Sequence, residues 1–84
     1  MVDGDESVEA RVREIVREVL EPTDANRLPP DADLWANGLN SLGSVSLLVR
    51  LEEEFEVEFP DEALNRTTFA SVRSILDTML ELLR

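Results

Sequence analysis

Residues 38–55 have the sequence GLNSLGSVSLLVRLEEEF, and this stretch decides the fold. Its spacing predicts an amphipathic helix from residue 41 to residue 54 or 55. One face of that helix carries the apolar residues Leu47, Leu48, Leu51 and Phe55. A second stripe, on a different side, carries Leu42, Val45 and Val49. A surface helix needs only one buried stripe, so the second stripe either packs as core against the preceding loop or contacts something outside the domain. We favour the external contact.

A first helix is predicted upstream, with Ser7 as its N-cap and residues 1–5 disordered before it. Pro22 is expected to end this helix at about residue 20, because the residue before a proline disfavours the helical conformation. Its apolar positions recur at helical spacing: Val8, Val12, Ile15, Val16, Val19 and Leu20.

Two helices are predicted downstream. Pro60 and Asp61 open a brief helix over residues 61–65, because proline and an acidic residue suit a helix N-terminus. Thr67 or Thr68 is expected to cap the last helix. The apolar residues of that helix are Phe69, Val72, Ile75, Leu76, Met79, Leu80 and Leu83.

The segment between the first two long helices, residues 21–40, has neither a helical nor a strand period. A loop this long in a small domain is usually functional or packed down. Its apolar residues, expected to lie over the helices, are Leu28, Leu34, Trp35 and Leu39. Trp35 is interpreted as core filler in preference to an exposed binding residue. Residues 1–84 are expected to form one all-α domain.

The composition excludes most enzyme classes. The 84 residues include no cysteine and no histidine, so no Ser-His pair, Cys-His pair or His/Cys zinc site can form. Acidic residues number 19 against 8 basic ones, for a net charge of −11. Such a polyanion repels nucleic acids and anionic membranes, which leaves proteins with basic surfaces as partners. The alternative is that the acidity only confers solubility. Without an 18-residue apolar stretch or a signal pattern, we expect a cytoplasmic protein.

Ser41 stands where the long loop meets the second helix. It is expected to be the first residue of that helix, with its hydroxyl facing solvent and no nearby side chain able to activate it. Such a serine is a poor catalytic nucleophile. It is well placed to be modified by another enzyme.

The stretch Gly38-Leu39-Asn40-Ser41-Leu42 closely resembles the Gly-Leu-Asp-Ser-Leu signature of acyl and peptidyl carrier proteins. The resemblance covers roughly residues 6–83 and includes Leu34, the run over residues 51–55, and Pro60. It implies an up-and-down bundle of three longer helices plus one short helix, with a long loop between helices 1 and 2. Residues 58–61, 64–66 and 68–71 are similar to bacterial aminoacyl carrier proteins, which receive an activated amino acid from a ligase.

The resemblance implies a freestanding, monomeric acyl or aminoacyl carrier that is not an enzyme. Ser41 would bear a 4′-phosphopantetheine arm, attached by a phosphopantetheinyl transferase, whose thiol holds the cargo as a thioester. Asn40, as a helix cap, and Leu42 would lie beside the arm. The implied partners are that transferase, an acyl- or amino acid-activating ligase and downstream acyl-transfer enzymes with basic surfaces. The residues expected to contact them are Leu42, Val45, Val49, Glu52, Glu53, Asp61 and Glu62.

Two points stay open at the level of sequence. The family usually has aspartate where this chain has Asn40, so a negative charge that helps the transferase recognise the carrier is missing. The alternative function is an unmodified acidic helical protein-interaction module, which the second stripe and the charge would also suit.

Overall fold

The computed structural model describes residues 4–20 and 27–83. Three α-helices occur in these ranges: α1 (Gly4–Val19), α2 (Ser41–Phe55) and α3 (Val72–Leu82). One 3-10 turn, Asp61–Ala63, lies between α2 and α3, and no strand occurs in the described residues. The predicted all-α class is therefore confirmed. None of these helices has the length and apolar character that crossing a bilayer requires.

The helix α1 begins earlier than predicted. It starts at Gly4, so Ser7 lies inside the helix and is not its N-cap. The sequence predicted disorder over residues 1–5, whereas Gly4 and Asp5 belong to α1 and residues 1–3 lie outside the described part of the chain. Two acidic residues follow Gly4 in the sequence, a composition that favours a helix N-terminus upstream of Ser7. The end of α1 at Val19 agrees with the prediction.

The core forms where α1 packs against both α2 and α3. Its buried residues come from all three helices and from the segments between them: Val12, Ile15, Val16, Leu20, Leu34, Leu39, Leu47, Leu51, Phe59, Phe69, Val72, Ile75 and Met79. Two ion pairs also join α1 to α2, Arg11 with Glu54 and Arg50 with Glu18.

Gly43 allows the first turn of α2 to approach α1 closely. A Cβ atom at this position would lie 3.0 Å from Leu39 Cδ1 and 3.3 Å from Val19 Cγ1. These distances are tighter than ordinary van der Waals contacts, so a side chain at this position would require the Leu39 and Val19 side chains to shift by a few tenths of an ångström.

The described part of the long loop, residues 27–40, is packed down as expected. Leu34 and Leu39 are buried, and Leu28 and Trp35 pack half-buried against the core. Backbone hydrogen bonds tie the loop to the start of α3, from the Leu34 N–H to the Ala70 carbonyl (2.8 Å) and from the Arg73 N–H to the Pro30 carbonyl (2.9 Å). The loop is therefore part of the domain's packed structure.

The predicted short helix over residues 61–65 is instead a single 3-10 turn, Asp61–Ala63. Leu64, at φ −88° and ψ 70°, has left the helical region. The Asn65 side chain takes up backbone hydrogen-bonding groups that a longer helix would use for its own hydrogen bonds. Its side chain donates to the Glu62 carbonyl (2.7 Å) and accepts from the Thr68 N–H (2.9 Å). Local side-chain hydrogen bonds of this kind terminate helices.

The cap of α3 is Ser71, so the prediction of Thr67 or Thr68 is wrong. The Ser71 hydroxyl accepts from the Ser74 N–H (3.1 Å), and the Ser71 N–H donates to the Ser74 hydroxyl (3.0 Å). Phe69 lies before α3, buried and stacked on Phe59 with ring centroids 5.9 Å apart. The two threonines therefore belong to the turn that precedes α3.

Candidate functional site

The site forms at the N-terminus of α2, where Asn40 caps the helix. Asn40 is extended (φ −134°, ψ −179°), and its Oδ1 accepts from the Gly43 N–H at 2.7 Å. Its backbone carbonyl accepts from the Ser44 N–H at 2.8 Å. Ser41 is the first residue of the helix, and its side chain is exposed.

The turn before Asn40 has a fixed shape. Gly38 has φ +116°, in the region that favours glycine, although nothing lies within 4 Å of where its Cβ would be. The glycine is therefore required by backbone conformation and not by space. Leu39 is buried, and its N–H donates to the Leu34 carbonyl at 3.0 Å. The buried Leu39 thus fixes the position of the backbone from which the exposed Asn40 and Ser41 follow.

The surroundings of Ser41 at the start of α2 suit an anion. The N–H groups of Ser41 and Leu42 lie in the first turn, where a helix has no internal acceptors for them. The first turn of α2 contains no acidic residue, and the helix dipole favours an anion at this end. The Ser44 hydroxyl donates to the Ser41 backbone carbonyl at 2.7 Å, so it is not positioned as a base for the Ser41 hydroxyl.

The second stripe is exposed along α2. Leu42, Val45 and Val49 are 80%, 57% and 45% exposed. The alternative that they pack as core against the loop is therefore wrong. Leu47 and Leu51, on the other face, are fully buried. The helix thus presents an apolar surface that starts beside Ser41 and runs for two turns.

The acidic residues predicted to meet partners differ in their surroundings. Glu53, Asp61 and Glu62 are exposed. Glu52 is half-buried, and its carboxylate accepts from the Phe59 N–H at 2.9 Å. Glu52 therefore holds the segment after α2 against the helix, a role that the sequence pattern did not indicate.

Comparison with known families shows to which family the chain belongs. A family model described as "Phosphopantetheine attachment site" matches residues 10–79. The chain belongs to the phosphopantetheine attachment site family. It is accordingly a carrier of that prosthetic group and not an enzyme, as the sequence predicted.

Individual relatives of this carrier agree with the family match. It is 45% identical over 71 residues to the aminoacyl carrier protein of Agrobacterium fabrum. The matched region covers 83% of this chain and 86% of the relative. It also resembles a chain in a crystal structure of an engineered Bradyrhizobium japonicum glycine:[carrier protein] ligase complexed with a carrier protein from Agrobacterium tumefaciens and AMP. That match has 44% identity and a TM-score of 0.81, and it covers 86% of this chain and 97% of the other.

The corresponding complex with ATP gives 43% identity and a TM-score of 0.82, covering 88% of this chain and 97% of the other. The carrier fold predicted from the sequence is therefore confirmed.

One part of the surface beside α2 was not predicted. Leu64 is 45% exposed, and the guanidinium of Arg66 lies over the Trp35 ring, 4.4 Å from its centroid. Both residues line a groove next to α2. The only signal for them in the sequence was their position in the 64–66 segment that resembles aminoacyl carrier proteins.

Proposed function

We propose that Ser41 is the attachment point of the phosphopantetheine arm and that the cargo is an aminoacyl group. The observation that carries the first part is the position of Ser41, exposed at the capped N-terminus of α2 in a chain of this family. When bound, the group would supply the thiol that holds the cargo. The chain's own residues would orient the serine, through the Asn40 cap, and accommodate the phosphodiester charge, through the first-turn N–H groups.

The cargo and the partner follow from the relatives. An aminoacyl carrier protein shares 45% of the matched residues, and related carrier chains occur in structures with a glycine:[carrier protein] ligase. The proposed partners are therefore a phosphopantetheinyl transferase and an amino acid-activating ligase, followed by acyl-transfer enzymes that take the cargo. We assign the carrier to the cytoplasm, because a ligase that uses ATP would meet it there.

The proposed docking surface is the second stripe with exposed carboxylates beside it. Leu42, Val45 and Val49 would contact an apolar patch of the partner. Glu53, Asp61 and Glu62 would meet its basic residues. Such charge complementarity speeds encounter without requiring tight binding, which suits a carrier that moves between enzymes.

The attachment site is tested by intact mass after incubation with coenzyme A, Mg²⁺ and a broad-specificity phosphopantetheinyl transferase. Wild type should gain one phosphopantetheinyl group. Ser41→Ala should gain none, and Ser46→Ala, an exposed serine of the same helix, should be modified like wild type. No gain by wild type, or an equal gain by Ser41→Ala, would contradict the assignment.

The cargo is tested with the modified protein. Incubation with the Bradyrhizobium ligase, ATP and glycine should add one glycyl group that hydroxylamine removes.

An unmodified interaction module would behave differently, because its complexes would form without the arm and would be indifferent to Ser41→Ala. If the protein is modified but neither this ligase nor ligases for other amino acids load it, the aminoacyl cargo would be contradicted. The assignment of Ser41 as the attachment point would still stand.

A further inference from the structure

Arg66 differs from most arginines of this acidic chain. Four others form ion pairs: Arg11 with Glu54, Arg13 with Glu9, Arg50 with Glu18 and Arg73 with Asp31. Arg66 is exposed, and no carboxylate of the described residues lies within ion-pair distance of its guanidinium. In a chain with net charge −11, an arginine left without an acid is unexpected on electrostatic grounds.

The Arg66 side chain is nevertheless held in place. Its guanidinium lies over the Trp35 ring, 4.4 Å from the centroid, a cation–π contact. Trp35 is itself fixed, because it packs against the core and its backbone N–H donates to Asp33 Oδ1 at 2.9 Å. The same Asp33 oxygen also accepts from the Ala36 N–H at 3.3 Å, so it stabilises the turn that contains Trp35. The positive charge is thus presented from a rigid support.

Arg66 lines the same groove as Val45 of the second stripe. A groove of about 360 Å³ runs along the side of α2, and Val45 of the second stripe lines one wall. Leu64, which is 45% exposed, and Arg66 line the same groove. A protein segment that fills this groove would therefore contact Val45, Leu64 and Arg66 together.

We propose that the amino acid-activating ligase docks across this groove and places an acidic side chain against Arg66. This inference rests on the proposed function and adds to it a specific contact. A partner surface that is basic throughout would suit the carboxylates of the carrier but would repel Arg66. Covering an unpaired guanidinium also removes it from water at a cost that an opposing carboxylate offsets. One acid within a basic surface therefore fixes the register of docking and excludes ligases that lack it.

The test compares variants with identical net charge. Arg66→Glu and Arg73→Glu each change the net charge from −11 to −13. Arg73 is a matched control because it is also exposed and its pair with Asp31 lies at the surface, where such pairs contribute little to stability. With the modified carrier, Arg66→Glu should reduce kcat/KM for glycine loading by about tenfold or more, mainly through KM, whereas Arg73→Glu should stay within about threefold of wild type.

Two further variants test the role of the positive charge at residue 66. Arg66→Lys keeps the charge and should load nearly like wild type, whereas Arg66→Gln loses the charge and should load more slowly. Equal effects of Arg66→Glu and Arg73→Glu, or equal loading by Arg66→Lys and Arg66→Gln, would overturn the proposal. Failure of wild type to be modified or loaded would instead count against the proposed function.

Discussion

Asn40 caps α2 directly before Ser41, the proposed modification site. Its side chain and its carbonyl each accept one N–H of the first turn of α2, so the orientation of Ser41 depends on this cap. As a cap, asparagine is about as effective as aspartate. The substitution of the family's usual aspartate therefore leaves the helix intact and removes only a charge.

Variants at Asn40 should separate these two effects. Asn40→Ala should destabilise the protein by about 1 kcal/mol and lower Tm by about 4–8 °C, because the cap is lost. Asn40→Asp should keep Tm at or above the wild-type value, because an anion at this end interacts favourably with the helix dipole. It should also raise the initial rate of phosphopantetheinylation, measured by intact mass. An unchanged or lower rate would show that the charge is not used by the transferase.

The residues at this site could be predicted from sequence because their roles are local. The Asn40 cap and the exposure of Ser41 depend on neighbours within three or four positions. The contacts of Glu52 with Phe59 and of Arg66 with Trp35 join residues 7 and 31 positions apart. No local period specifies such pairs, because they arise only when the segment after α2 packs against α2 or against the loop before it.

At the scale of the element, α2 has two apolar faces, one buried in the core and one exposed. Leu47 and Leu51 are fully buried, whereas Leu42 is 80% exposed. The periodicity of the sequence showed the two faces correctly. The exposure of the second stripe agrees with the alternative favoured from the sequence, and the burial of the other face results from packing against α1, whose position the sequence of α2 does not contain.

Truncating one leucine on each face should have opposite consequences. Leu47→Ala should cost about 2–5 kcal/mol of stability, because it leaves a cavity in the core. Leu42→Ala should leave Tm within about 2 °C of wild type and lower the rate of loading by the ligase. Thermal melts and loading rates check both. A normal rate for Leu42→Ala would contradict docking through the second stripe.

The start of α3 provides a second prediction for an element. Ser71→Ala removes the capping box and should destabilise the protein by about 1 kcal/mol. Thr67→Ala, at an exposed position that the sequence suggested as a cap, should be nearly neutral. Chemical denaturation of both variants tests this difference, and a larger effect at Thr67 would contradict it.

The cap of α3 was difficult to predict for a physical reason. Residues 67–74 contain four hydroxyl side chains, and each could cap a helix on local chemistry alone. Tertiary structure made the choice: the Ala70 carbonyl accepts from the Leu34 N–H, and Phe69 is buried against Phe59. These contacts hold residues 69–70 outside the helix, so α3 can begin only after Ser71.

At the scale of the whole molecule, the main feature is the excess of negative charge on a small body. The longest dimension is 32 Å, and the Debye length is about 30 Å at 0.01 M salt but about 10 Å at 0.1 M. At low salt the acidic residues therefore repel one another across the entire protein. At physiological salt only near neighbours interact.

Salt should therefore act in opposite directions on stability and on docking. Between about 0.01 M and 0.5 M NaCl, Tm should rise, because self-repulsion in the folded state is screened. Over the same range the rate of loading by the ligase should fall, because steering toward a basic partner is screened as well. Arg73→Glu, with a net charge of −13, should show the steeper rise in Tm. A flat Tm in both proteins would contradict the role of self-repulsion.

The chain contains a single tryptophan, and the Arg66 guanidinium lies over its ring. All indole fluorescence of the protein therefore originates at Trp35, on the edge of the groove beside α2. A cation over an indole ring alters its fluorescence, so we expect an event that moves the Arg66 guanidinium away from Trp35 to change the wavelength or the intensity of the emission. The carrier thus has an intrinsic optical probe, with which stopped-flow instruments can follow the arrival of an unlabelled partner that contains no tryptophan near the contact.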